Sequence, residues 1–469
     1  MAAIITDIFK KDIIQKIFDA ASNDSDKMYI GIGKSEQWDS SETVPTPIDS
    51  PRTIRQVRSG LQSVKKASDV SFVVPRYNWS SGSTYSAFDD NFATIPSNTY
   101  YVLTDENHVY ICLQQSQDND GDPNASTVKP TGTTTKPFKT ADGYVWKFLY
   151  ALSAAKSSKF LSSNFVPIQK ILDSAGGSGL NAIEIQQAAV QDSAIPGQIL
   201  GVAVTKGGSG YDSSAGTTVT INGDGVRAAA SATVVGGVVT KIELDSSTDS
   251  CITMGQSYNF ASVSITGAGS GAEARAIIGP DSGVGADPRN ELKSTSLMFH
   301  VKPDGTESTT QKVSGSTTTG SSFIVDQDFR QVALIKNPRD SAGALYTGTS
   351  GKMLRYLEFQ STSQAASFAK DAIITSASGA QAVVDHSDSS RVWFHQNDST
   401  GFKPFVEAET VTGGGGSGTL QLAGADADAD AWEHGDIDKM SGEILYIENR
   451  APVTRSSIQT EDLKIVITL

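Results

Sequence analysis

The groups in this 469-residue chain that could do acid–base, nucleophilic or metal chemistry are five histidines, two cysteines and 52 acidic residues. Their spacing limits what each can do. His108, His300, His386, His395 and His434 include no HExxH pair, the spacing that sets two imidazoles on one helix face for zinc. Cys112 and Cys251 stand 139 positions apart, which excludes a Cys-rich metal site and a disulfide framework, and both are expected to be reduced. The glycine–serine clusters at 176–179, 207–210 and 413–418 all break the GxSxG spacing of a nucleophile elbow and read as turns. Gly351-Lys352 has Tyr346 where a phosphate loop needs its first glycine and Met353 where it needs Ser or Thr. Asp118, Asp120 and Asp122 open like a calcium loop, but Pro123 replaces the turn glycine and Lys129 the bidentate glutamate. Asp426, Asp428 and Asp430 read as a solvated acidic linker. The sequence therefore assigns no catalytic residue, no cofactor and no metal ligand. Carboxylate pairs that folding alone would bring together cannot be picked out of it, which keeps a glycoside-hydrolase alternative open.

The elements that would position any such groups are mostly short strands. From Met28 onward, runs such as MYIGIG, VSFVVP, YYVLT, HVYICLQ and YVWKFLYAL alternate with polar, Gly- and Pro-containing loops. One amphipathic helix is expected from about Thr6 to Ala21, where Ile5, Phe9, Ile13 and Ile17 recur at helical spacing. Its lysines are interleaved with Asp12 and Asp19, so its apolar face suits its own fold or a partner protein better than a membrane. The formal net charge of −14 repels phosphate backbones and anionic lipid, so neither nucleic acid nor membrane is an expected partner. No apolar run is long enough to span a bilayer, and MAAIITDIFKKDIIQ lacks a secretory apolar stretch, so a soluble, unsecreted protein is expected.

Two stretches differ in composition from the rest. Residues 174–288 are crowded with Gly, Ala, Ser and Thr, and within them VTINGDGVRAAASATV, from Val219 to Val234, matches VSITGAGSGAEARAII, from Val263 to Ile278, at an offset of 44. Each copy reads as strand, glycine turn and alternating Ala, so two β-hairpin units packed on each other are expected. A looser echo links FAKDAIITSASGAQAVV at Phe368 to FVEAETVTGGGGSGTLQL at Phe405, with the β-prone VWFHQ between them. The resulting fold class is mainly β with a minor α component (α+β), a β-sandwich-like core with two inserted antiparallel β modules. The expected division is 1–172 and 291–346 as core, 173–290 and 347–430 as inserted modules, and 431–469 as closing core strands.

Motifs at both ends of the chain carry a resemblance. GIGKSEQWDSSE at Gly31 to Glu42, VVPRYNW at Val73 to Trp79, VYICL at Val109 to Leu113 and DGYVWKFLY at Asp142 to Tyr150 are followed by FRQVALIKNP at Phe329 to Pro338. SGEILYIENRAPVTRSSIQTEDLKIVITL then closes the chain from Ser441. In this order they resemble the baseplate wedge subunit, the gene-eight product, of T-even-type contractile-tailed bacteriophages. The resemblance covers roughly 1–172, 291–346 and 431–469, and leaves the two composition-shifted stretches without a counterpart. It implies a non-enzymatic structural subunit of the virion tail baseplate, assembled in the host cytoplasm. Its implied partners are itself, as a homodimer, and other wedge proteins, with no small-molecule substrate. Competing readings are a receptor-binding or fibre-attachment tail protein and a polysaccharide-degrading tail hydrolase. Trp38, Trp79 and Trp146 lie in the matched motifs and read as core or interface anchors rather than as ligand platforms.

Overall fold

The computed structural model describes residues 3–213, 216–245, 253–303, 327–365, 367–387, 391–421, 432, 434–456 and 459–469. Cys251, Asp426, Asp428 and Asp430 fall outside them. The chain is mainly β with a minor helical component, and the strand ladders described below are antiparallel. Among the described residues no helix is long and apolar enough to cross a membrane. The chain divides into two compact units, one of residues 1–15, 71–298 and 466–469, the other of 16–70 and 299–465.

Among the described residues, two sheets have all their strands within the unit containing 299–465. Its five-stranded sheet has the order Ser350–Lys352, Leu61–Lys66, Met28–Gly33, Asp328–Lys336, Glu443–Thr454. Three motif segments far apart in sequence thus lie side by side, with Gly31 opposite Ala333 and Ala333 opposite Ile447. Gly31 lets the core close tightly over it: a Cβ there would lie 3.0 Å from Leu61 Cδ2, so a larger residue would have to displace that side chain. The helix Pro51–Gly60 starts at Ser50, whose hydroxyl accepts from Thr53 N at 3.1 Å, with proline at its first turn. Its Val57 joins Tyr29, Leu61, Val64, Ala333 and Met353 in the core over this sheet.

The second sheet of that unit has the order Arg355–Glu358, Arg391–His395, Gln381–Ser387, Ile373–Ser376, Thr410–Gly413, Gly416–Thr419. It closes on its own core of Leu357, Phe359, Phe368, Val384, Phe394 and Phe405. Its ends return to one place, since Ile437 N donates to Lys352 O at 3.3 Å. VWFHQ forms an inner strand of this sheet, between Arg355–Glu358 and Gln381–Ser387.

In the other unit, His108–Gln114 and Val145–Ala151 pair in a four-stranded sheet around Tyr110, Tyr144, Trp146 and Phe148. Val190, from the helix Ala182–Asp192, belongs to the same core. That helix begins with a capping box between Asn181 and Glu184. The repeat region forms a six-stranded sheet in the order Ala261–Thr266, Thr218–Gly223, Ala230–Val235, Val238–Leu244, Ile199–Ser209, Ser270–Ile278. The strands at the two ends of that order are joined by only Gly267, Ala268 and Gly269, so the sheet must curl until they lie side by side.

The two repeat copies are not hairpins stacked face to face. Their first strands pair with each other, Val219 with Ile265 and Ile221 with Val263, which sets the equivalent residues Thr220 and Ser264 opposite one another. A local two-fold axis therefore runs through that pair, and the tyrosines obey it. Tyr258 covers the first copy's glycine turn and its hydroxyl accepts from Ala228 N at 3.4 Å; Tyr211 covers the second copy's turn and accepts from Ala272 N at 3.3 Å. The reason is edge satisfaction: each first strand is a bare ladder until its copy supplies the partner.

The N-terminal helix spans Asp7–Ser22. Ile14 and Ala21 are buried, whereas Ile4, Ile5, Ile8 and Phe9 are between 56% and 88% exposed. The apolar stripe that the sequence predicts as docked or partnered is thus largely uncovered in the single chain.

Candidate functional site

Among the described residues, a concentration of charged side chains in a concave place lies in the unit built on the five-stranded sheet. His395 ends the strand Arg391–His395 and is 1% exposed. Its Nδ1 stands 2.6 Å from Asp385 Oδ2 and its Nε2 3.1 Å from Glu36 Oε2. Ser35 donates its hydroxyl to the other Asp385 oxygen at 2.9 Å. Burial opposes the imidazolium, but the flanking carboxylates win and push the histidine up to about 10. Burial opposes the charged form of Glu36, but the adjoining charges of His395 and Lys34 outweigh it and hold the carboxyl far below the usual carboxylate range. The serine here bonds to the carboxylate and not to the imidazole, so the order nucleophile–base–orienter of a hydrolytic triad is absent from this cluster. Its chemistry is that of a clasp, in which the inserted sheet grips the Ser35-Glu36 pair of the first motif.

Beside the clasp opens a cavity of about 320 Å3, lined by His395 and by cationic and apolar groups from four segments. The helix Pro51–Gly60 contributes Arg52 and Arg55; Arg52 pairs with Asp398 at 2.8 Å, and Gln56 donates to the same carboxylate oxygen at 2.8 Å. Arg58, the third arginine of that helix, donates to Ser441 O at 2.8 Å and to the carbonyls of Met440 and Gly442, fixing the turn that carries Lys439 and Met440. Lys439 is 4% exposed, and its ammonium donates to Ser59 O at 2.8 Å. Burial and the nearby Arg355 charge lower it to about 7. Arg355 itself stacks on Trp432, 3.5 Å from the ring centre. Phe394, Phe402 and Met440 supply the apolar wall.

The other sequence candidates do not converge on this place. His108 packs edge-on against Phe148, and burial lowers its basicity. His300 meets Asp462 at 2.6 Å, His386 lies over Trp393, and His434 stands edge-on to Trp432. Cys112 is a free thiol in the core, pushed up by burial and far from reactive. Asp118 spends its carboxylate on the backbone amides of Asp120 and Asp122, both at 2.9 Å, and Lys129 pairs with Asp105 and Glu106. Gly351 and Lys352 belong to a strand, with the Lys352 ammonium over Trp393 at 3.9 Å. Among the described residues no group of three or more His, Cys, Asp or Glu is arranged to hold a metal ion. In the other unit Glu291 is buried, its Oε1 accepting from Gly285 N and Asp287 N, and burial pushes it up to about 7.

The motif residues bind one another instead. Arg330 holds Glu42 at 2.8 Å and donates to Ser35 O, and the Trp38 indole donates to Arg450 O at 2.9 Å. Trp79 donates to Ser126 Oγ at 3.2 Å, and Trp146 is fully buried, stacked on Tyr144. The cavity cations went unassigned in the sequence reading although a signal was there: Ser50-Pro51 starts a helix and Arg52, Arg55 and Arg58 recur every third residue in an acidic chain. Comparison with protein-family models and with curated proteins gave no match for this chain.

Proposed function

We propose that this protein is a structural subunit of a contractile-tail baseplate wedge, a homodimer that joins other wedge proteins and performs no turnover. One observation carries the reading: the residues of the resembling motifs are spent on each other. Trp38 and Glu42 of the first motif bind Arg450 and Arg330 of the closing ones, and the strands that carry these motifs are neighbours in one sheet. Residues used this way specify an architecture, not a reaction. The exposed Ile4, Ile5, Ile8 and Phe9 add an apolar surface of the kind that marks contact with another protein. A receptor-binding tail protein would want aromatics on an exposed insert face; Tyr211 and Tyr258 are buried, and Phe260 stands exposed in a bend.

The test is association. Light scattering on the purified full chain at micromolar concentration should give a dimer, and added wedge proteins should give a larger defined complex. Ile8→Asp with Phe9→Asp, both at exposed positions, should keep the circular dichroism spectrum and weaken one of these associations at least tenfold. A monomer that ignores every wedge protein, or depolymerisation of host-envelope polysaccharide by the pure chain, contradicts the proposal.

A further inference from the structure

We propose that the cavity beside the clasp binds a small organic oxyanion, a carboxylate or phosphate ester with an apolar body, its charged end at Lys439 and Arg55 and its body against Phe394, Phe402 and Met440. The sign of the wall is the first argument. In a chain with net charge −14, this cavity gathers Arg52, Arg55, Arg355 and Lys439. Its acids are already engaged: Asp398 by Arg52 and Gln56, and, behind His395, Asp385 by the imidazolium and Glu36 by the imidazolium and Lys34. Neither Arg55 nor Lys439 has a carboxylate within ion-pairing distance among the described residues. A surplus of positive charge in a partly enclosed place attracts an anion more strongly than the same charge in open solvent.

Lys439 is the second argument. Its one hydrogen bond, to Ser59 O, leaves two N–H donors for a ligand. A plain helix-end role explains that bond, because a cation suits the carboxyl end of Pro51–Gly60. It does not explain why Arg55 and the Trp432-stacked Arg355 line the same cavity, nor why the wall between them is aromatic. The volume of about 320 Å3 falls at the small end of ligand pockets, enough for one ring and an acidic group. An anion seated there would also favour the charged form of Lys439, which burial and Arg355 now disfavour. The clasp supplies the floor: His395 and Lys34 together offset the two carboxylates of Asp385 and Glu36, so His395 holds position and takes no part in the attraction.

Phenyl phosphate, benzoate and inorganic phosphate, titrated calorimetrically into the full chain, make the experiment. At least one of the two aromatic probes should bind with a sub-millimolar Kd that weakens with added salt, and inorganic phosphate should bind at least tenfold more weakly. A preference between the two aromatic probes identifies the head group. Lys439→Met should lower affinity at least tenfold, and Arg55→Gln, at an exposed position that folding does not need, several-fold. Lysine Cε NMR signals should show one residue whose titration midpoint rises on probe binding and which is missing in Lys439→Met. Absence of saturation by both aromatic probes at about 10 mM overturns the proposal. So does affinity unchanged in Lys439→Met, since the ligand would then be held outside the cavity.

Discussion

His395 carries a proton that it holds more tightly folded than unfolded, and the pH dependence of stability follows from that difference. With the folded value at about 10 and the unfolded one near 6.5, its contribution is complete below pH 6.5 and is lost as pH rises through 10. Glu36 acts in the opposite sense: its contribution is present above about pH 4.5 and fades as pH falls below that. His395→Gln strands two carboxylates, one of them fully buried, and is expected to cost about 3–5 kcal/mol at neutral pH. Urea unfolding from about pH 5 to pH 10 checks this; the difference between wild type and variant should shrink above about pH 9, and a difference that grows there contradicts it. The sequence shows His395 only as a polar residue in a β-prone run. Glu36 and Asp385 become its partners through sheet pairing, and three segments had to meet before that environment existed. The arginine stripe of Pro51–Gly60 is different, because its spacing and its Ser-Pro start can be read directly from the sequence.

Both sheets of the composition-shifted stretches are organised by pairing a segment with its own echo. In the second, Phe368 and Phe405 begin the two copies and both reach the core, and Thr375 lies opposite its equivalent Thr412. In the first, the axis passes through Thr220 and Ser264, and the equivalent backbone positions Arg227 and Gly271 both adopt positive φ, +71° and +80°. The glycine turns admit the tyrosine rings only because they lack a side chain: a Cβ at Gly225 would lie 2.3 Å from Tyr258 Cγ, and one at Gly269 2.6 Å from Tyr211 Cδ2. Gly225→Ala and Gly269→Ala are each expected to cost about 1–3 kcal/mol, and by similar amounts because the two sites are equivalent. Hydrogen exchange should show protection lost across both copies in either variant; loss confined to the mutated copy would contradict the reciprocal packing. The repeat itself was legible as an offset of 44, and so were its strands. Its partner was not, because alternation says which face of a strand is apolar and nothing about which edge it will join.

At the scale of the molecule, the repeat sheet leaves and rejoins the chain at one point, for Gly279 N donates to Gln198 O at 2.8 Å. Replacing residues 199–278 by a short Gly/Ser linker should therefore leave a folded, soluble protein, at the loss of polar contacts such as Arg275 with Asp89, Gln114 with Glu243 and Thr240 with Asn119 O. Removing 174–288 should do more harm, because it takes the helix Ala182–Asp192, and Val190 with it, out of the Trp146 core at about 2 kcal/mol or more. Thermal melts of the two deletions compare them, and equal stability would contradict this difference. The composition shift near residue 174 marked a change of style in the chain, but the helix after it still belongs to the Trp146 core. The curl of the repeat sheet has a further consequence. An open ladder of amides and carbonyls adheres to any extended strand, whatever its sequence, whereas here the turn at Gly267–Gly269 sets the two end strands beside each other. Recognition by this excursion then falls to its outward side chains, which can be exchanged one at a time, so that related chains could acquire new neighbours by rewriting a surface while the backbone beneath it stays the same.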